Sequence, residues 1–147
     1  MILSASESKF WQQHGFIELN NFFSLSERDD IIKWTNDIEI WPETPGKWMK
    51  YFESTKLNKK QLCRIENFLQ YHQGFNDVAQ GKRTIALLSE LMGEEAVLFK
   101  EKINFKLSGA NGFSPHQDYP AFLSFGQSYH ITMMLAVDDC TIDNGCL

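Results

Sequence analysis

The sequence has no long hydrophobic run, no excess of basic charge and few cysteines. No apolar stretch approaches the roughly 20 residues of a membrane-spanning helix, and the N-terminus has no basic region followed by an apolar one. The net charge is −5, and the 14 Lys and Arg residues are scattered, which argues against a nucleic-acid partner. We therefore expect a cytoplasmic protein whose ligand is a small molecule.

The cysteines exclude two further classes. Cys63, Cys140 and Cys146 are odd in number and lack the C-x-x-C spacing of zinc knuckles. Neither a disulfide framework nor a structural zinc site is therefore expected, and the pattern predicts buried, reduced thiols.

What is present fits one globular domain spanning residues 1–147, with 43% hydrophobic and 14% aromatic residues. The part up to about residue 95 is predicted to be mainly helical. Capping boxes at Ser4 and Ser24 start two helices, and apolar spacing predicts one or two more between 75 and 92, interrupted near Gly81 and ended by Gly93. Short strands are predicted at 16–19 and 48–53, and a polar surface excursion at 54–61.

After Gly93 the hydrophobic period changes to two. Residues 96–107 alternate as in a long strand, residues 108–112 form a flexible loop, and residues 129–137 predict a second strand. Helices first and strands later, over about 96–147, predict an α+β domain in which helices buttress a sheet.

The most informative feature is a histidine and an aspartate separated by one residue, His116 and Asp118. Gly109 and Gly112 in the preceding loop allow a sharp turn that aims both side chains inward. One imidazole and one carboxylate are two-thirds of the ligand set of non-haem Fe(II) oxygenases. The motif alone fits a solvated loop histidine beside a turn aspartate equally well, and a hydrolase with another divalent metal has only this motif in its favour.

Several segments in order resemble the phytanoyl-CoA dioxygenase family. They are Cys63–Phe68, Leu98–Lys106, Pro115–Asp118, Tyr129–Thr132 and Asp143–Leu147. The resemblance implies a double-stranded β-helix (a jelly roll, cupin-like) with N-terminal buttressing helices. It also implies an oxygenase that uses Fe(II), 2-oxoglutarate as co-substrate and O₂.

For the metal site, the resemblance implies that His116 and Asp118 are the first two iron ligands. Halogenating relatives have a small residue in place of the carboxylate, so Asp118 favours hydroxylation or a related oxidation. We therefore expect a dioxygenase that hydroxylates a small polar or anionic metabolite, whose identity the sequence does not give.

For the co-substrate, the resemblance places Asn104 where relatives hydrogen-bond 2-oxoglutarate. Thr132 and Met134 share one strand parity and would line the same pocket, and Lys102, on the face of Asn104, would attract an anionic ligand. The alternatives are ordinary strand polarity for Asn104 and Thr132, and an exposed, mobile lysine for Lys102.

The aromatic residues after the motif have two alternative interpretations, and the remaining histidines are interpreted mainly as structural. Tyr119, Pro120, Phe122 and Phe125 either wall the substrate side or are core residues. His14 and His72 are interpreted as structural, and His130 as a residue of the pocket or of its supporting layer.

The resemblance also implies a distal metal histidine and an arginine that grips 2-oxoglutarate, and neither has a counterpart after His130. We therefore expect C-terminal strands to be missing from this chain and the chain alone to be incomplete and inactive. The alternative function is a non-catalytic or truncated fragment of such an oxygenase. An open sheet edge would then invite self-association.

Overall fold

Two capping boxes start the first two helices, α1 (Ala5–His14) and α2 (Leu25–Glu39). In this computed structural model, which describes residues 2–111 and 114–146, the hydroxyls of Ser4 and Ser24 each accept a hydrogen bond from the backbone N–H three residues later. The glutamate at that later position accepts one from the serine N–H in return. Both predicted helix starts are confirmed.

The second helical pair, α3 (Gln73–Gln80) and α4 (Lys82–Met92), is divided at Gly81, as predicted. Gly93 ends α4 with φ +74°, a left-handed conformation in which a side chain would be strained. Its N–H donates to the carbonyl of Ser89 at 2.9 Å. The predicted interruption and the predicted terminator are therefore both confirmed.

Three antiparallel strands form the sheet, in the order β1 (Met49–Ser54), β2 (Lys60–Glu66) and β3 (Lys102–Asn104). β1 confirms the strand predicted at 48–53, whereas β2 begins at the end of the polar excursion predicted at 54–61 and covers residues for which no element was predicted. Two of the three strands thus lie within the region predicted to be helical. The helices with this sheet make an α+β arrangement.

The long strand predicted at 96–107 was wrong in extent, because only residues 102–104 pair with a neighbour. Within the described residues no strand forms at 16–19 or 129–137. Alternating polarity exposes one apolar face, but a strand also needs a partner for its backbone N–H and C=O groups. Of the predicted loop 108–112, Gly112 lies outside the described residues, as does Leu147 at the end of the predicted motif.

Short 3₁₀ helices, which the sequence did not predict, follow instead. They span Leu69–Tyr71, Tyr119–Phe125 and Ile142–Asn144. The second begins directly after Asp118 and so fixes the aromatic residues behind the predicted metal-binding turn.

The core lies between β2, α2 and α3. Its buried members are Ile31, Ile38, Leu62, Ile65, Phe68, Leu69, Phe75 and Phe105. Ile65 is completely buried, and its strand pairs with β1 on one side and β3 on the other. β2 is therefore the element around which the helices pack.

The three cysteines are free thiols, as predicted, but their burial was predicted wrongly. Cys63 is half-buried in β2, whereas Cys140 and Cys146 are exposed, because residues 138–146 pack on no core element. Among the described helices none combines the length and the apolarity needed to cross a membrane.

Candidate metal and substrate site

His116 and Asp118 face each other across the turn that precedes the 3₁₀ helix Tyr119–Phe125. His116 Nε2 lies 3.3 Å from Asp118 Oδ1. The imidazole is about half exposed and the carboxylate less so, with side-chain exposures of 55% and 29%. The two side chains therefore converge on one point that solvent ions can reach.

The other ring nitrogen of His116 fixes the tautomer. Nδ1 lies 2.7 Å from the backbone carbonyl of Ser114. A carbonyl oxygen only accepts, so Nδ1 carries the hydrogen and donates it. In the neutral ring Nε2 then presents a lone pair toward a carboxylate, which is the orientation seen in metal-binding histidines with a carbonyl behind them.

Two acceptors that face each other at 3.3 Å need a cation or a proton between them. Ligands about 2.1 Å from an octahedral ion and at right angles to each other lie about 3.0 Å apart. The Nε2 to Oδ1 distance is close to that value. The pair therefore fits two adjacent positions around a divalent ion, and a protonated imidazole paired with the carboxylate is the alternative.

Within residues 2–111 and 114–146, no group of three or more His, Cys, Asp and Glu side chains is arranged to hold a metal ion. Of the predicted ligand set, the described part of the chain contains His116 and Asp118, and their assignment as metal ligands stays a prediction.

The residues predicted to bind the co-substrate lie on exposed surfaces. Asn104 and Lys102 are exposed on β3, and Thr132 and Met134 are exposed in the segment that forms no strand. In the described part of the chain none of the four makes a hydrogen bond or an ion pair with His116 or Asp118. Their assignment to the co-substrate stays a prediction.

A buried cluster of charged side chains, Glu66, Arg64 and Lys100, lies beside β3 and was not predicted from the sequence. The carboxylate of Glu66, at the end of β2, is only 5% exposed, and its Oε1 lies 3.1 Å from Arg64 Nε and 3.0 Å from Lys100 Nζ. The hydroxyl of Tyr51 donates to Oε2 at 3.3 Å. The segment Cys63–Phe68 gave a signal by resemblance, but no pattern in a single sequence shows that Lys100 folds back onto it.

Aromatic rings form a wall next to this cluster. The ring centres of Phe122 and Phe125 each lie 5.1 Å from that of Phe99. Of the two sequence-based readings, a core position is wrong for Phe125, which is 68% exposed, while Phe122 is half-buried. These side chains line a surface depression.

The histidines outside the motif have aromatic neighbours. His14 lies against Phe10, and His72 Nδ1 accepts from the N–H of Phe75 at 3.2 Å, which caps α3. These contacts are structural, as predicted. His130 stacks on Tyr119 with ring centres 6.0 Å apart, which puts it behind the turn that carries His116 and Asp118.

The chain belongs to the phytanoyl-CoA dioxygenase family, because the sequence model of that family matches residues 11–147. The matched range includes His116, Asp118 and the aromatic residues Phe99, Phe122 and Phe125. No solved structure matches the chain.

Three curated relatives give the family match more detail. The chain is 53% identical over 138 residues to a 2-aminoethylphosphonate dioxygenase from uncultured bacterium HF130_AEPn_1, covering 93% of this chain and 53% of the relative. It is 39% identical over 145 residues to a methylphosphonate hydroxylase from Gimesia maris, covering 99% and 55%. It is 27% identical over 150 residues to a probable alpha-ketoglutarate-dependent hypophosphite dioxygenase from Stutzerimonas stutzeri, covering 97% and 51%. The chain spans about half the length of these relatives.

Proposed function

We propose that this protein is an Fe(II)- and 2-oxoglutarate-dependent dioxygenase that hydroxylates a small organophosphonate. The observation that carries the proposal is the pair formed by His116 Nε2 and Asp118 Oδ1, which converge at 3.3 Å with the imidazole oriented from behind by Ser114. Membership of the phytanoyl-CoA dioxygenase family supports it. The double-stranded β-helix expected from the resemblance is part of the same proposal.

His116 and Asp118 would hold the iron as adjacent ligands. When bound with 2-oxoglutarate and O₂, the iron supplies the oxidising power that inserts an oxygen atom into a substrate bond. The Ser114 carbonyl keeps the hydrogen on Nδ1, so that Nε2 stays available as a donor to the metal. The carboxylate of Asp118 fills the ligand position that a halide would need, which favours hydroxylation.

The co-substrate would lie near β3. We propose that Asn104 and Thr132 supply neutral hydrogen-bonding groups, that Met134 lines the pocket and that Lys102 supplies a positive charge. The dependence on 2-oxoglutarate is supported by the name of one relative, the hypophosphite dioxygenase.

The substrate class comes from what three relatives have in common. Their names specify 2-aminoethylphosphonate, methylphosphonate and hypophosphite, all of which are small phosphorus oxyanions. The sequence-based expectation was a small polar or anionic metabolite, and an organophosphonate is a specific case of it.

The test is to remove one ligand and to measure metal binding and turnover in the full-length protein. Asp118→Ala should weaken Mn(II) binding, followed by electron paramagnetic resonance, by more than about 100-fold, since loss of an outer partner alone costs 10- to 100-fold. It should also abolish phosphonate-dependent succinate formation. His14→Ala, which removes a histidine packed against Phe10, is the matched control and should leave both unchanged.

Three results would separate the alternatives. If wild-type protein with Fe(II) and 2-oxoglutarate shows no weak visible absorption band under anaerobic conditions, and forms no succinate once O₂ and the phosphonate are added, the oxygenase proposal is wrong. Hydrolysis supported by another divalent metal would favour the hydrolase reading. If metal binding is unchanged in Asp118→Ala, Asp118 is not a metal ligand, and its contact with His116 in the wild type is an ion pair with a protonated imidazole.

A further inference from the structure

A cavity of about 380 Å³ opens where the end of β2 meets the 3₁₀ helix Tyr119–Phe125. It is lined by Met49, Glu66, Asn67, Phe99, Lys100, Glu101, Phe122 and Phe125. The volume is at the small end of the range for ligand pockets, about 300–1,000 Å³. This volume suits a small organic molecule.

This cavity is joined to the metal-binding turn by a single short element. The helix Tyr119–Phe125 starts directly after Asp118, and Phe122 lies four residues further on. At a rise of about 2.0 Å per residue, the phenyl ring that walls the cavity is attached about 8 Å along the axis from the aspartate. The short helix therefore connects the wall of the cavity to the proposed iron site, although His116 and Asp118 do not themselves line the cavity.

The charged side chains that line the cavity are Glu66, Glu101 and Lys100, so Lys100 is the one cation among the lining residues. Glu66 Oε1 lies 3.0 Å from Lys100 Nζ and 3.1 Å from Nε of Arg64, which stands behind the lining, and with Arg64 counted the four charges balance. The remaining carboxylate in the lining, Glu101, accepts hydrogen bonds from the N–H groups of Phe68 and Leu69, at 2.7 and 3.3 Å. Those two backbone donors hold Glu101 Oε1 against the start of the 3₁₀ helix Leu69–Tyr71.

Of the two cations, Lys100 is the one available to a ligand. Arg64 packs its guanidinium over the Tyr51 ring at 4.5 Å, which occupies its flat face. Lys100 keeps 40% of its side chain exposed. An ammonium group has three donors, and the 3.0 Å contact with Glu66 Oε1 is an ion pair without hydrogen-bond geometry, so it leaves these donors for a ligand.

We propose that Lys100 binds the phosphonate group of the substrate, that Glu66 positions it, and that Phe99 and Phe122 contact the organic part. This rests on the proposed function for the identity of the ligand. Lys100 Nζ already lies 5.9 Å from the centre of the Phe122 ring, so charge and apolar surface are adjacent. Such a pairing suits a ligand with an anionic head and a short carbon chain.

The experiment measures binding of methylphosphonate to the full-length protein without iron, by calorimetry. Lys100→Met removes the charge at nearly constant volume and should weaken binding tenfold or more, the scale of one charge-assisted hydrogen bond. Lys100→Arg should stay within about threefold of wild type. Lys59→Met, which removes an exposed lysine from the turn between β1 and β2, is the matched control and should change nothing.

A neutral probe separates charge from shape. Dimethyl methylphosphonate has the same core without the anion, and it should bind wild type and Lys100→Met alike. If Lys100→Met loses affinity for the neutral probe as much as for the anionic one, the loss comes from a distorted cavity and the proposal is overturned. It is also overturned if wild type binds no methylphosphonate, or if Lys100→Met and Lys59→Met bind it equally.

A second measurement covers the case in which Lys100→Met does not fold. In wild type labelled with ¹³C at the lysine ε carbons, methylphosphonate should shift the Lys100 resonance and leave that of Lys59 in place. An unmoved Lys100 resonance at saturation contradicts the proposal. Succinate formation is a separate readout: its absence alongside Lys100-dependent binding would refute the oxygenase function and leave the phosphonate site standing.

Discussion

Replacement of Ile65 by alanine tests whether β2 is the centre of the domain. Ile65 is 0% exposed, and its backbone pairs with Lys50 of β1 and with Ile103 of β3. Truncating a buried isoleucine to alanine costs about 2–5 kcal/mol, whereas Ile65→Val should cost about 0.5–1.5 kcal/mol. At about 2–4 °C per kcal/mol, the expected fall in Tm for the alanine variant is about 4–20 °C.

The assay is urea unfolding of the full-length protein, followed by far-ultraviolet circular dichroism and by tryptophan fluorescence. The matched control is Ile40→Ala, because Ile40 follows α2 and is 82% exposed. Its effect should stay within about 0.5 kcal/mol. If Ile65→Ala and Ile40→Ala have the same midpoint of unfolding, Ile65 is not in a packed core and the assignment of β2 is wrong.

Two further predictions concern α2 and α3. The backbone N–H of Ser24, and then Arg83 and the Ser24 hydroxyl, lower the pKa of Glu27 from 4.5 to about 2. Because the folded-state pKa is depressed, the stabilisation is complete above about pH 4.5 and is lost as the pH falls toward 2. The stability difference between wild type and Glu27→Gln, measured by urea unfolding, should therefore shrink across that range, and a constant difference would contradict it. In Gly74→Ala the new Cβ would lie 2.5 Å from an indole carbon of Trp34, so overpacking of about 1–3 kcal/mol should outweigh a helix-propensity gain of about 0.5–1 kcal/mol. An alanine variant as stable as wild type would show that the indole moves freely.

The parts of the fold that could be predicted from sequence are those fixed by neighbours in the chain. The caps at Ser4 and Ser24 and the stop at Gly93 each depend on residues within one helical turn. β2 could not be predicted in this way, because the pattern of Lys60–Glu66 mixes polar and apolar residues on both faces. Its strand character comes from pairing with two other strands.

The same distinction applies to the site. The convergence of His116 and Asp118 follows from a spacing of two residues, which a single turn satisfies. The contact between Lys100 and Glu66 spans 34 residues of chain and requires β3 to lie beside β2. A single sequence carries no signal for such a pairing, so the cluster beside the cavity was visible only in three dimensions.

The segment that holds His116 and Asp118 is positioned by a few long-range side-chain contacts, because its described residues have no strand ladder of their own. The single hydroxyl hydrogen of Tyr129 is shared between the carbonyl of Met92, at 2.8 Å, and Glu94 Oε1, at 3.1 Å. Desolvation, followed by the Glu94 hydrogen bond, raises the pKa of Tyr129. On the other side the Lys100–Glu66 ion pair ties the cavity wall to β2. Since each contact is a single hydrogen bond or ion pair, its loss should displace the site more than it lowers global stability. The geometry of the site and the stability of the core are thus set by different residues.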